Sequence, residues 1–172
     1  RFFAEKVLEH FGRVDVLVNN ACITRHGILS GCSYEDFNEV LRVGVAAPYL
    51  LSLLFRDHFS HGASIVNIAS KVALTGQGKT TAYAAAKGAI LGLTREWAAA
   101  LVHDSVRVNA IVVAEAWTPL YANWIKTFGD EEAQQKRLSL ITDRIPLEHR
   151  MTSTEEIADT ACFLLSDRSS HT

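Results

Sequence analysis

Residues Ser70–Lys87 read SKVALTGQGKTTAYAAAK, and this stretch defines the arrangement of the chain around it. A short apolar run rich in β-branched residues, 64–69, precedes it, as expected for a buried strand. A segment rich in alanine and leucine follows, with helical spacing from Tyr83 to about Leu101. The sequence therefore predicts Ser70 at the carboxyl end of a strand, with Tyr83 and Lys87 on the first turns of the next helix.

The spacing of Tyr83 and Lys87 indicates a chemical role. Residues four apart lie on one face of a helix, about 6 Å apart along its axis. A lysine ammonium there favours the phenolate and is expected to lower the pKa of Tyr83 from its usual value of about 10. Tyr83 would then act as a general acid or base, with Ser70 hydrogen-bonded to the reacting oxygen. The alternative is structural: an aromatic ring packed beneath an exposed lysine stem.

Two further apolar runs, 14–21 and 105–113, are predicted strands separated by the helical segments 34–58 and 83–101. Strands that alternate with long helices predict an α/β fold of parallel βαβ units. Ligands of such folds bind beyond the carboxyl ends of the strands. A first helix is predicted over 1–12.

Other segments have weaker but usable signals. Ser33 is the predicted N-cap of the helix over 34–58, which is expected to bend near Pro48. Residues 114–150 form an aromatic, irregular helical insertion. This insertion is either a flap over a substrate or a packed helical hairpin.

The motifs together resemble the short-chain dehydrogenase/reductase family. They are Asn19-Asn20-Ala21 after an apolar strand, Ser70 thirteen residues before Tyr83, Tyr83-Ala84-Ala85-Ala86-Lys87, and Val106-Arg107-Val108-Asn109-Ala110-Ile111. The resemblance covers nearly all 172 residues. It implies a single Rossmann-like domain over 1–172, with a doubly wound parallel sheet in a three-layer αβα arrangement. It also implies hydride transfer between NAD or NADP and an alcohol or carbonyl carbon.

The resemblance assigns roles to individual residues. Tyr83 would be the proton donor or acceptor, Lys87 would assist it and hold the nicotinamide ribose, and Ser70 would orient the substrate. Asn19 and Ala21 would line the cofactor cleft, and Thr118 would touch the cofactor.

The sequence also departs from the family pattern. Cys22 stands where the family usually has glycine, Gly44 where an asparagine normally completes a catalytic tetrad, and Val113-Ala114 where Pro-Gly is usual. No Gly-x-Gly-x-x-Gly phosphate turn and no closing strand occur, so the fold is expected to be incomplete at both ends.

Several segments look similar to the L-fucose dehydrogenase branch of the family. They include Thr75-Gly76-Gln77-Gly78 and Ala114-Glu115-Ala116-Trp117-Thr118-Pro119. That branch implies oxidation of an aldose to its lactone. Glu115 and Trp117 are then candidates to hydrogen-bond and stack on a sugar ring; otherwise they are a surface acid and a core aromatic.

Composition limits the other possibilities. The chain is 48% hydrophobic and 21% charged with a net charge of -2, which gives no argument for nucleic acid or an anionic membrane surface. No uninterrupted apolar run approaches the length of a membrane span. Three cysteines without a CxxC pair indicate reduced thiols and a cytoplasmic protein. Only His58 and His61 of the seven histidines are close, and we predict no metal site.

Two other functions are consistent with parts of the sequence. Residues 73–80 resemble a degraded phosphate-binding loop, which would suit an NTPase, but Ala73 replaces the first glycine. A catalytically impaired family member that acts as a binding or oligomerisation module is the second rival. The family resemblance implies a homo-oligomer, dimer or tetramer, through the helices 34–58 and 79–102. A serine hydrolase fits the sequence poorly because no Gly-x-Ser-x-Gly occurs.

Overall fold

A computed structural model describes all residues, 1–172, and shows an α/β fold with a parallel sheet and flanking helices. The helices are α1 (Phe2–Phe11), α2 (Tyr34–Leu41), α3 (Ala47–Phe55), α4 (Thr81–Ala100), α5 (Pro119–Ile125), α6 (Glu131–Thr142) and α7 (Thr154–Leu165). The strands are β1 (Val14–Asn19), β2 (Phe59–Ser70) and β3 (Arg107–Val113). The chain forms two compact units, Arg1–Val112 with Ala161–Thr172, and Val113–Thr160.

The sheet of the first unit has the strand order β1-β2-β3. Strands β1 and β2 are parallel, and the register places Asn19 opposite Asn67 near their carboxyl ends. Strand β2 begins at Phe59, earlier than the apolar run alone predicts. Ser70 is the last residue of β2, so it lies at the carboxyl end of a long strand whose second half is largely buried, as predicted.

A hydrophobic core joins the sheet to the helices of the first unit. Its buried members come from α1, all three strands and the end of α3: Ala4, Val14, Leu17, Phe55, Ala63, Ile65, Val106 and Val108. Helix α1 ends at Gly12, whose left-handed φ of 72° suits the glycine predicted as its stop. A second, smaller cluster joins α2 to α4 through Val40, Ala82 and Ala86.

The helical run 34–58 differs from its prediction. Ser33 caps α2 as expected, since its hydroxyl accepts a hydrogen bond from the Asp36 N–H. The irregularity lies before Pro48, in a π-helical turn over Arg42–Ala46. Pro48 has no N–H to give the Gly44 carbonyl, and the Ala47 N–H bonds to the Arg42 carbonyl, which widens the turn. By length and composition alone, Tyr34–His58 could also cross a membrane, a test that core helices of soluble proteins pass as well.

A chain of buried amides and a hydroxyl fixes the register of the strands. The Asn19 amide donates to the Asn67 side-chain oxygen at 2.8 Å, and the Asn67 amide donates to the Thr94 hydroxyl at 2.9 Å. Thr94 in turn donates to the Ile90 carbonyl at 2.7 Å. Because these buried polar groups are satisfied only in this register, they tie β1, β2 and α4 together.

The second unit contains a ladder of aromatic rings. The Tyr121 and Trp124 rings meet edge to face at 5.2 Å, and so do Trp124 and Phe128 at 4.8 Å. The Arg137 guanidinium of α6 lies over the rings of Trp124 and Phe128, which joins α5 to α6. This unit contains the predicted insertion 114–150.

Candidate active site

The structure brings Ser70 and Tyr83 together. Their side chains lie close enough for the Ser70 hydroxyl to favour the charged form of the Tyr83 phenol, although thirteen residues separate them, because the short turn after β2 leads directly into α4. Ser70 is only 8% exposed, and its hydroxyl also accepts from the Val72 N–H. The serine hydroxyl and the phenol thus form one polar group at the carboxyl end of β2.

Lys87 lies one helical turn beyond Tyr83, as the spacing predicts. Its ammonium is 5.5 Å from the centre of the Tyr83 ring and donates to the Ile68 carbonyl at 2.6 Å. Lys87 is 4% exposed. The bond to Ile68, a residue of β2, fixes the ammonium beneath the phenol.

The predicted lowering of the Tyr83 pKa by Lys87 is wrong. Burial raises the pKa of Tyr83, the hydrogen bond from Ser70 opposes that rise, and the nearby Cys22 adds to it. Burial also lowers the pKa of Lys87, since the charged ammonium loses water. Desolvation therefore exceeds the influence of the neighbouring ammonium, and Ser70 is the group that favours the phenolate.

The two positions that depart from the family pattern, Cys22 and Gly44, are neighbours in space. A Cβ atom at Gly44 would lie 3.1 Å from the Cys22 sulfur and 3.2 Å from the Ala86 Cβ. Cys22 follows β1, Gly44 lies in the π-helical turn, and Ala86 precedes Lys87. Sequence reasoning identified both departures but had no signal for the contact between them.

A loop holds the start of α4. The Gly27 N–H donates to the Lys79 carbonyl at 2.9 Å, and the Gly27 carbonyl accepts from the Thr81 N–H at 3.2 Å. This pairing forms a parallel bridge between Gly27 and Thr80. The loop after β1 thereby sets the position of the helix that presents Tyr83.

The predicted cofactor residues of the first unit lie at the end of β1. The side chain of Asn19 is buried and bonded to Asn67, so it contributes to the sheet interior. Ala21 is exposed in the loop that follows. A cofactor contact by either residue stays a prediction.

The remaining predicted residues lie in the second unit. Thr118 is the N-cap of α5, since its hydroxyl accepts from the Tyr121 N–H at 3.1 Å. Glu115 accepts from the Tyr121 hydroxyl at 3.4 Å. Burial, and then the Glu115 charge, raise the pKa of Tyr121 to about 12. Tyr121 therefore stays protonated and able to donate at neutral pH.

Trp117 is 45% exposed and lines a cleft of about 320 Å³ within the second unit. The other lining residues combine an apolar floor with carboxamides and a carboxylate: Ile125, Glu131, Gln134, Gln135 and Leu138. Sequence reasoning singled out Trp117 but missed the two glutamines, because their place beside the indole depends on how α6 folds back.

Comparison with known proteins identifies the family of the chain. A family profile described as enoyl-(acyl carrier protein) reductase matches residues 2–172. The chain belongs to the short-chain dehydrogenase/reductase family. Among curated relatives, the 3-oxoacyl-[acyl-carrier-protein] reductase FabG of Thermotoga maritima is 35% identical over 169 residues, 97% of this chain and 65% of its own length.

Solved structures of other proteins show the same fold as this short-chain dehydrogenase/reductase. The Cj0485 dehydrogenase is 40% identical with a TM-score of 0.93, and the match covers 99% of this chain and 65% of that one. The aldohexose dehydrogenase of Thermoplasma acidophilum is 27% identical with a TM-score of 0.90, again covering 99% and 65%. The chain therefore spans just under two thirds of the length of each of these three relatives.

Proposed function

We propose that the protein is an NAD(P)-dependent oxidoreductase that transfers hydride between the nicotinamide and an alcohol or carbonyl carbon. The observation that carries this function is the proximity of the Ser70 hydroxyl, the Tyr83 phenol and the buried Lys87 ammonium, which lies 5.5 Å from the centre of the Tyr83 ring. The relatives named as reductases and dehydrogenases support an oxidoreductase. Family membership gives no support to the NTPase alternative.

The residues present suit a nicotinamide cofactor. An ammonium has three N–H donors and Ile68 takes one, so Lys87 keeps donors for ribose hydroxyls. We assign cofactor binding to Asn19, Ala21, Tyr83 and Lys87 of the first unit, and a further cofactor contact to Thr118 of the second unit. When bound, the oxidised nicotinamide accepts hydride and the reduced form donates it.

In the oxidation direction, each catalytic residue has one task. The Ser70 hydroxyl holds the substrate oxygen, and the Tyr83 phenolate takes the hydroxyl proton as the carbinol C–H bond breaks. The electron pair of that bond leaves as hydride, and a C=O bond forms. Lys87, bonded to the Ile68 carbonyl, lies against the Tyr83 ring and would hold the nicotinamide ribose beside it. Reduction follows the same steps in reverse.

Replacing Tyr83 with phenylalanine tests this assignment. Phenylalanine keeps the ring over Lys87 but has no proton to exchange, so turnover should be lost while cofactor affinity stays nearly unchanged. Tyr49→Phe, at an exposed tyrosine of α3, is the matched control and should keep full activity. Unchanged turnover in Tyr83→Phe would reject the function.

We further propose an aldose as substrate, oxidised at its anomeric carbon to a lactone, with L-fucose as the first candidate. The name of the aldohexose dehydrogenase relative supports a sugar, whereas that of FabG points to an acyl thioester carrier. Trp117 offers an indole face for stacking, and Glu115 offers a carboxylate. A panel of aldoses and secondary alcohols, each with NAD and NADP, distinguishes these classes. Turnover of secondary alcohols alone would reject the sugar.

A second candidate is an impaired family member that serves as a subunit-binding module. Gly44 and Cys22 favour it, because neither is the usual residue of the family at its position. The same panel separates the two functions, since a module shows assembly without turnover. We place the protein in the cytoplasm as a homo-oligomer, with its three cysteines free.

A further inference from the structure

Cys22 and Gly44 form a tight contact at the back of the candidate catalytic turn. A real Cβ atom rarely has a neighbour as close as 3.1 Å, the distance from a built Gly44 Cβ to the Cys22 sulfur. A methyl group at position 44 would also press on Ala86, at 3.2 Å. A side chain at position 44 therefore requires Cys22 or Ala86 to move by a few tenths of an ångström.

The surroundings make this contact difficult to relax. Gly44 and Ala86 are buried, and Ala86 belongs to the small core cluster between α2 and α4. The Cys22 thiol donates to the Ile23 carbonyl at 3.4 Å, so the sulfur has a defined direction. Because protein interiors are densely packed, an added methyl group shifts the neighbouring backbone.

The neighbour that such a shift would reach is the catalytic turn. Ala86 is next to Lys87 in sequence and lies three residues after Tyr83 on α4. Besides the larger effect of burial on each, Cys22 acts to raise the pKa of both Tyr83 and Lys87, so its sulfur lies near both side chains. The loop after β1, the π-helical turn and α4 thus meet at one sulfur atom.

We propose that Cys22 is a positioning residue. Its sulfur occupies the space left by Gly44 and fixes the turn of α4 that presents Tyr83 and Lys87, an inference that rests on the proposed function. The side chain of Cys22 and the missing side chain of Gly44 are thus complementary, and we call this pair the steric unit. An alanine at position 44 should therefore be accommodated when the side chain at position 22 is made smaller.

Reciprocal substitution tests the steric unit. Gly44→Ala should lower Tm and reduce kcat by about 10- to 100-fold, since small displacements of reacting groups have effects of that size. Its KM should change little. Adding Cys22→Ala to Gly44→Ala should restore most of the Tm and of kcat, because it removes the sulfur that the methyl group meets. Cys22→Ser, which keeps a similar shape, should retain kcat.

Gly92→Ala is the matched control. Gly92 is also helical, but an added Cβ there has no atom within 4 Å, so Tm should stay or rise and kcat should be unchanged. Equal Tm losses from Gly44→Ala with and without Cys22→Ala would overturn the contact. Restored Tm without restored kcat would overturn the positioning role.

The inference and the function fail in different ways. A wild-type protein with no turnover on the substrate panel rejects the proposed function and the positioning role together, whatever the Tm values show. If the wild-type protein turns over substrate and the effects of Gly44→Ala and Cys22→Ala are additive, only the positioning role is rejected.

Discussion

Burial and the hydroxyl of Ser70 act on the pKa of Tyr83 in opposite directions. Burial raises the pKa of Tyr83 because the phenolate would lose water, and the hydrogen bond from Ser70 lowers it because a hydroxyl donor favours the charged oxygen. Lys87 lies under the ring and is bonded to Ile68, so its main contribution is placement. Ser70 therefore has two functions in the proposed mechanism, one toward the substrate and one toward the phenol.

Ser70→Ala should move the titration of Tyr83 to higher pH. Removing the donor leaves burial unopposed, so the pKa of Tyr83 rises further above its ordinary value. Oxidation needs the phenolate, and activity that increases with pH through this pKa should increase later in the variant. Ultraviolet difference absorbance of the phenolate, with Tyr83→Phe as the reference, measures the shift directly.

Ser60→Ala is the control for that titration. The Ser60 hydroxyl donates to Asp15 at 2.8 Å, at an exposed site on another part of β2. This variant should leave the tyrosine titration where it is. A titration that moves to lower pH in Ser70→Ala would contradict the role given to the serine.

At the same scale, sequence reasoning located the residues but not their electrostatics. The i, i+4 spacing of Tyr83 and Lys87 and the strand-end position of Ser70 are local properties, and the structure confirms that geometry. The direction of the Tyr83 pKa depends on burial, which arises from distant packing. The Cys22–Gly44 contact was hidden for the same reason, since 22 residues separate its two partners in the chain.

At the scale of elements, helix α4 depends on a loop for its starting point. No side chain caps α4 at Thr80, and the Gly27 pairing with Lys79 and Thr81 holds that end. Gly27 cannot have a side chain, because a Cβ there would lie 2.6 Å from the Gly31 carbonyl carbon and closer still to its oxygen. The glycine is therefore required by a close approach of two backbone segments.

Gly27→Ala should destabilise the protein by about 1–3 kcal/mol, the usual cost of overpacking a close contact. Since the same loop positions α4, kcat should fall as well. Urea unfolding measures the free-energy change. Gly76→Ala lies on the loop that leads to α4, where an added Cβ meets no atom within 4 Å, and should change stability by less than about 0.5 kcal/mol. Equal effects of the two substitutions would refute the proposed clamp.

At the scale of the whole molecule, the alternation of strands and helices predicted the α/β fold, because the period of apolar residues is a property of each segment. Element ends were predicted less well: β1 ends at Asn19, before Ala21, and the bend near Pro48 is a π-helical turn preceding it. The position of Pro48 predicts which backbone hydrogen bond is missing. How the helix adjusts to that loss depends on the packing around Gly44, which the sequence does not show. Likewise, aromatic spacing predicted helical structure within 114–150, while the cleft beside Trp117 also depends on where α6 lies.

The exposed apolar face of α2 and α3 leads to the last prediction, on assembly. Tyr34, Tyr49, Leu50 and Leu53 are all exposed on the helical run 34–58. Several large apolar side chains exposed on one helical run indicate a contact with another molecule, and we expect a second copy of the chain. Leu53→Glu places a charge on a side chain that is 53% exposed and should shift dimers or tetramers toward monomers in sedimentation velocity. Leu29→Glu, at a loop leucine that is 90% exposed, should leave the assembly intact.

The run 34–58 also has the length and composition of a membrane span. The subunit contact would be contradicted if the wild-type protein bound neutral lipid vesicles and did not self-associate in their absence.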